Sequence, residues 1–155
     1  MLIKFTKKMN EKANMVKENA EKYKSCPAMD EPEKIYKIVM NYENELDIVE
    51  KEKERFYAIG LDVKNKIKYV DVVSTGALDK SIVLPRETFR MAILSGVIRI
   101  VLAHNHPSGN IEPSEADLAI TKRLVEAGKI IGIEVLDHII VSEKGFFSFK
   151  NEDLL

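Results

Sequence analysis

The stretch from Val97 to Gly128 constrains this chain more than any other. It opens with a run from Ile98 to Ala103 that is apolar apart from Arg99, the pattern of a central strand covered on both faces. The run leads directly into His104-Asn105-His106. Pro107, Gly109 and Pro113 then exclude a regular element until a helical pattern opens at Ser114 and Asp117 and stops at Gly128, which reads as its C-cap. In extended chain, residues i and i+2 point to the same side about 6–7 Å apart, so both imidazoles can aim at one point. On a helix, Ser114 and Asp117 are neighbours on one face, with Cβ atoms roughly 5–6 Å apart. A loop that folds back would bring the Asp117 carboxylate and the Ser114 hydroxyl beside the two histidines. Two imidazoles, one carboxylate and an open fourth position describe a catalytic Zn2+ site, one ion per chain. Ser114-Glu115-Ala116-Asp117 is also a capping box with Asp in place of Glu, and His104 to Gly109 also reads as a polar turn. The readings are compatible, because a capping serine can face a site as well.

Composition sets the frame. A chain of 155 residues, 45% of them apolar, is most simply one domain with a real core. A net charge of −1 offers no global electrostatic reason to bind nucleic acid. The single cysteine, Cys26, excludes an intramolecular disulfide and a Cys-rich zinc site. No apolar run reaches the ~20 residues of a membrane span. The start, Met1 to Lys8, becomes charged too early for a secretory signal. The expected location is cytoplasmic, with no membrane partner.

The flanking segments read in order. Residues 1–25 carry seven lysines against three glutamates, with Met9, Ala13, Val16 and Ala20 at helical spacing. That predicts a weakly amphipathic helix whose lysines form its solvated face, within an N-terminal extension over 1–27 ahead of a domain over 28–155. Asp30 as a cap and Pro32 in the first turn begin a helix with a buried stripe of Ile35, Ile38, Val39 and Tyr42. Glu54 to Leu61 reads as the first strand, Lys64 to Lys66 as a hairpin turn and Ile67 to Val73 as the returning strand. Ser74 to Gly76 reads as a turn and 81–84 as a short strand. Pro85 starts a helix that runs through Phe89 to Gly96, with Arg86 in a structural role. Ile130 to Leu136, His138 to Val141 and Phe146 to Phe149 complete the sheet. His138, one histidine inside an apolar strand, reads as a core or supporting group rather than a ligand.

His104-x-His106, seven residues, Ser114, two residues, Asp117 resembles the JAMM motif of MPN-type metalloproteases. The wider wording, His104 to Gly109 and then Pro113 to Asp117, resembles the RadC branch of that superfamily. The likeness continues through Pro85 to Phe89 and Asp137 to Val141, and covers roughly Met29 to the C-terminus. It implies a three-layer α/β/α domain around a central mixed sheet, the cytidine-deaminase-like MPN/JAB fold. It implies zinc held by His104, His106 and Asp117, with Ser108 and His138 in support. The family's first strand begins Glu-x-Phe, and its glutamate is a general base; Glu54 has the matching place, with Glu50 and Glu52 as rivals. Read without the resemblance, Glu54 is one acid in the solvated charge run from Glu50 to Arg55. Ser114 would donate to the oxyanion. The expected activity is that of a zinc metallopeptidase cutting a peptide or isopeptide bond in a peptide or protein substrate. His-Glu-x-x-His, Pro-Cys-x-x-Cys and a Gly-rich phosphate loop are all missing, which argues against thermolysin-like, deaminase and phosphate-binding readings. The alternative is a binding protein associated with DNA repair or recombination, its metal site structural or idle, supported only by the lysine-rich start. Full-length RadC sequences carry a helix-hairpin-helix region ahead of this domain, and residues 1–28 leave room only for a short form.

Overall fold

Alternation along two neighbouring strands decides which side of the molecule holds the site. The structure is a computed structural model and describes residues 21–76 and 83–155. On strand β1 (Arg55–Leu61), Phe56 and Ala58 enter one core cluster while Tyr57, Ile59 and Leu61 enter another. On strand β3 (Arg99–Asn105), Ile100 and Leu102 join the first cluster and Val101 and Ala103 the second. Both strands are buried on both faces, so both are central. The other strands are β2 (Ile67–Thr75), β4 (Glu134–Ser142) and β5 (Gly145–Ser148), and the sheet order is β2-β1-β3-β4-β5. Only β3 and β4 pair in parallel; the remaining pairs are antiparallel. A parallel pair needs a crossover, and helix α5 (Glu115–Ile131) supplies it.

Helix α1 (Pro32–Asn44) seals one face with Ile35 and Val39. Short helix α2 (Ile48–Lys51) follows it. Helices α3 (Pro85–Thr88) and α4 (Arg90–Ser95) join α5 on the opposite face, where Met91, Ala92 and Leu124 are buried. The result is the expected three-layer α/β/α arrangement around a mixed sheet. Each large aliphatic side chain fully buried this way contributes roughly 1.5–3 kcal/mol.

Several boundaries differ from those expected. Ser74 and Thr75 extend β2, opposite Phe56 and Arg55, so the turn waits for Gly76 at φ 121°. Of the short strand expected over 81–84, residues 81–82 lie outside the described residues, and Val83 and Leu84 belong to no strand. The helix from Pro85 breaks at Phe89 (φ −90°, ψ −6°), whose ring turns into the core. Helix α5 runs past Gly128 to Ile131 and is capped by Gly132 at φ 75°. A left-handed residue is needed at 132, where glycine carries no Cβ penalty. Ile130 and Ile131 are therefore helical, and one continuous strand, β4, replaces the two expected from Ile130 to Val141. The N-cap of α1 is Glu31, because the Asp30 carboxylate is taken by the Lys34 ammonium. The helix expected over 1–25 lies, up to residue 20, outside the described residues. Among the described residues, no helix is long and apolar enough to cross a membrane.

Candidate metal centre

His104 is the penultimate residue of β3, flanked by β1 and β4, and its side chain is wholly buried. It shares the parity of Ile100 and Leu102, so its imidazole emerges on the α5 side. His106 lies just beyond the strand, yet its N–H bonds the Val141 carbonyl at 2.9 Å. That bond keeps the chain extended for one further pair and preserves the i, i+2 relation. The loop then turns at Gly109, φ 83°. It ends on Ser114, the N-cap of α5.

The capping box and the site share one carboxylate. The Ser114 hydroxyl oxygen accepts the Asp117 N–H at 3.2 Å, while Asp117 Oδ2 accepts the Ser114 N–H at 2.8 Å. The Ser114 hydroxyl donates to the same Oδ2 at 2.7 Å. Oδ1 is left facing His104 Nε2 at 3.1 Å, and His106 Nε2 lies 3.6 Å from Oδ2. The two Nε2 atoms are 2.9 Å apart. One ligand atom from each of the three residues falls within 4.8 Å of the others, a group that could hold a metal ion.

Hydrogen bonding behind the ligands fixes where their protons sit. The Thr121 hydroxyl has one proton and donates it to the Asp117 carbonyl at 2.6 Å. The contact of 2.6 Å between Thr121 Oγ1 and His138 Nδ1 must then have His138 as donor. His138 Nε2 is left as an acceptor, so His104 Nδ1–H donates to it at 2.8 Å. His106 Nδ1–H donates to the Asn110 carbonyl at 2.6 Å. Both Nε2 atoms therefore turn lone pairs toward one carboxylate. Three electron-pair donors so arranged repel unless a cation stands among them. Without a metal, a proton on His106 serves: the Asp117 carboxylate beside it raises the imidazole pKa. Burial lowers the pKa of His104, and more strongly that of His138. Burial would raise the Asp117 pKa, but the adjacent His104 and His106 imidazoles and the Ser114 hydrogen bond outweigh it and hold the group well below the usual carboxylate range. Around a tetrahedral zinc with bonds of about 2.0–2.2 Å, ligand atoms sit about 3.3–3.6 Å apart, so this donor set fits with small adjustments.

Glu54, half-buried just before β1, lines a cleft of about 270 Å³ with His106, Ser108, Asn110, Glu112, Ser114 and Asp117. Its rivals separate from it. Glu50 is engaged by Arg55 and Lys53, each at 2.5 Å, and Glu52 is exposed. Ser108 sits on the cleft rim, its hydroxyl 3.4 Å from the Asn110 nitrogen. His138 stands behind His104, stacked on Phe149 with centroids 4.8 Å apart. Phe56 stacks on His104 itself, 6.0 Å between centroids. Thr121 escaped the sequence reading, although its spacing of four from Asp117 places it on the same helix face. The Asn110 contact uses a main-chain carbonyl and leaves no trace in sequence.

Comparison with known proteins places the sequence in a family. The family model of the RadC-like JAB domain matches residues 29–154. The chain belongs to that family. A UPF0758 protein of Desulforamulus reducens is 44% identical over 124 residues, covering 80% of this chain and 52% of the relative. A UPF0758 protein of Symbiobacterium thermophilum is 50% identical over 102 residues, covering 66% and 44% respectively. One of Methanosarcina acetivorans is 47% identical over 103 residues, covering 66% and 45%. The chain spans about half the length of the curated relatives it matches. In this RadC-like JAB domain, the three-residue group and Glu54 all fall inside the matched residues.

Proposed function

We propose that this RadC-like JAB domain is a zinc-dependent hydrolase that cleaves a peptide or isopeptide bond in a peptide or protein substrate. The observation that carries the reading is the convergence of two imidazoles and a carboxylate beside a half-buried glutamate in one open cleft. Zinc held by His104, His106 and Asp117 would supply a Lewis acid for a carbonyl and a water acidic enough to act as nucleophile near pH ~7. Glu54 stands beside the group as the base that would hold a proton and return it to the leaving amine. Asp117 is held by two Ser114 donors, so the serine hydroxyl can rotate toward a developing oxyanion while the Ser114 N–H keeps the carboxylate in place. A donor of that kind is typically worth about 3 kcal/mol in the transition state. His104 and His106 keep their Nδ1–H groups on His138 and Asn110, which holds both rings in the ligating tautomer.

The test joins metal content to cleavage. Protein purified without a histidine tag should carry about one zinc per chain, and His104→Ala and Asp117→Ala little. The parent should cut members of a mixed peptide and isopeptide library, and Glu54→Gln should retain zinc while losing cleavage by at least about a hundredfold. Zinc retained in both ligand variants would sink the assignment of the site. Zinc bound normally with no cleavage, and a DNA shift in its place, would favour a binding role with an idle metal.

A further inference from the structure

Asn105 stands between the two histidines in sequence but faces the other side of the sheet. It is 6% exposed, and its side chain reaches across to β1. Asn105 Oδ1 accepts the Arg55 N–H at 2.5 Å, and Nδ2 donates to the Lys53 carbonyl at 3.0 Å. Those two peptide groups flank Glu54. The ladder pairs Phe56 with His104. Continued, it would set Arg55 opposite Asn105 and Glu54 opposite His106. Main-chain pairing ends at Phe56, and the carboxamide takes over. β1 and β3 are thus held apart by a side chain where the cleft opens between Glu54 and His106.

The carboxamide is itself anchored. Its Nδ2 lies 3.4 Å from Glu43 Oε2, which also faces Arg55 Nη1 at 3.4 Å. The Tyr57 hydroxyl donates to the other Glu43 oxygen. Glu43, Arg55 and Tyr57 are all buried. Such a cluster inside an otherwise apolar layer costs desolvation, and it rigidifies when every member is satisfied. None of its side chains belongs to the ligand group. On the β2 side, the Glu54 carbonyl accepts the Gly76 N–H at 2.8 Å.

We propose that Asn105 is a positioning residue for Glu54: its carboxamide clamps the peptide groups on either side of the glutamate and sets how far the carboxylate stands from the metal-binding group. The proposal rests on Glu54 being the general base. Its consequence is that the far face of the sheet, through Glu43, Tyr57 and Arg55, governs proton transfer in a cleft it never touches.

Cobalt(II) loaded in place of zinc is the probe, read by its visible absorption against pH, together with amide hydrogen exchange at Arg55. Glu54→Gln should shift the spectral transition by about one pH unit. Asn105→Ala should shift it the same way at unchanged cobalt stoichiometry, with exchange at Arg55 faster by about tenfold or more. Asn105→Asp keeps the acceptor for Arg55 and loses the donor to Lys53, so it should give a smaller shift; it also carries the test if Asn105→Ala does not fold. Asn105 variants that titrate like the parent, while Glu54→Gln shifts, would overturn the proposal and leave Glu54 as base. A Glu54→Gln protein that titrates like the parent would remove the base reading, and this proposal with it.

Discussion

The Thr121 hydroxyl decides more than its size suggests. Because its proton goes to the Asp117 carbonyl, His138 must donate from Nδ1, and His104 must then offer its Nε2 lone pair to the cleft. Thr121→Val is nearly isosteric and removes the acceptor. The buried His138 Nδ1–H would be left unpaired, so the opposite tautomer becomes preferred. That tautomer donates toward His104 Nδ1 and drives the His104 proton onto the nitrogen that should ligate. Outer contacts of this kind are commonly worth about 10–100-fold in metal affinity. Competition with a chelator should find Thr121→Val weaker by roughly that factor and Thr121→Ser close to the parent. Equal affinities in all three proteins would break the relay.

Helix α5 carries both the carboxylate and the crossover, so its packing fixes how Asp117 meets the strand. Inside it, Gly128 packs against Ile133, the residue that leads into β4. A Cβ there would lie 2.4 Å from the Ile133 carbonyl oxygen, a backbone atom, and 3.3 Å from the Phe89 ring. Alanine in a helix interior ordinarily gains up to about 1 kcal/mol over glycine. Gly128→Ala should reverse that sign and lower stability by about 1–3 kcal/mol, read as a fall in the denaturant midpoint. An unchanged or higher midpoint would show that the helix can lift away freely. This glycine also marks what sequence reading can reach. The helical periodicity after Ser114 and the apolar run before His104 were legible, since both obey local rules. So was the Ser114–Asp117 pair, because the capping box and the site share Asp117 and a capping serine can face the same cleft. The end of α5 was not, because a close approach and a left-handed cap both select glycine, and only the three-dimensional neighbours tell Gly128 from Gly132. Asn105 was equally opaque: its partners lie about fifty residues back on another strand. The resemblance pointed to Glu54 with Glu50 as a rival; where each carboxylate lies needed coordinates, since the Arg55 guanidinium that engages Glu50 is turned to it only by the fold.

Across the whole molecule, a cation in the His104–His106–Asp117 group would tie the end of β3 to the first turn of α5 and so hold the sheet to the layer above it. The competitor for that place is a proton. In metal-free protein, the adjacent Asp117 carboxylate raises the His106 pKa. That contribution to stability is full below the ordinary imidazole value of about 6.5 and is lost as pH rises through the folded-state value. Asp117 behaves oppositely, its depressed pKa giving stability that is present above about 3.9 and lost as pH falls toward the folded-state value. Burial lowers the pKa values of His104 and His138, and they act the opposite way to His106, costing stability as pH falls below the ordinary imidazole value of about 6.5. The His106 contribution is therefore read against His106→Ala: relative to that variant, metal-free parent protein should lose melting temperature as pH rises through the His106 folded-state value. Zinc must displace the His106 proton, so its affinity falls up to about tenfold for each pH unit below the His106 pKa, and the stabilisation it gives scales as RT ln(1 + [Zn]/Kd). The two are one competition seen from either side. The gap in melting temperature between zinc-loaded and chelator-treated protein should widen as pH rises from about 6 toward the His106 folded-state value, and His106→Ala should flatten it. A gap that is large and constant across that range would mean that the metal does not compete with the His106 proton. The ligand set would then have to be drawn without His106.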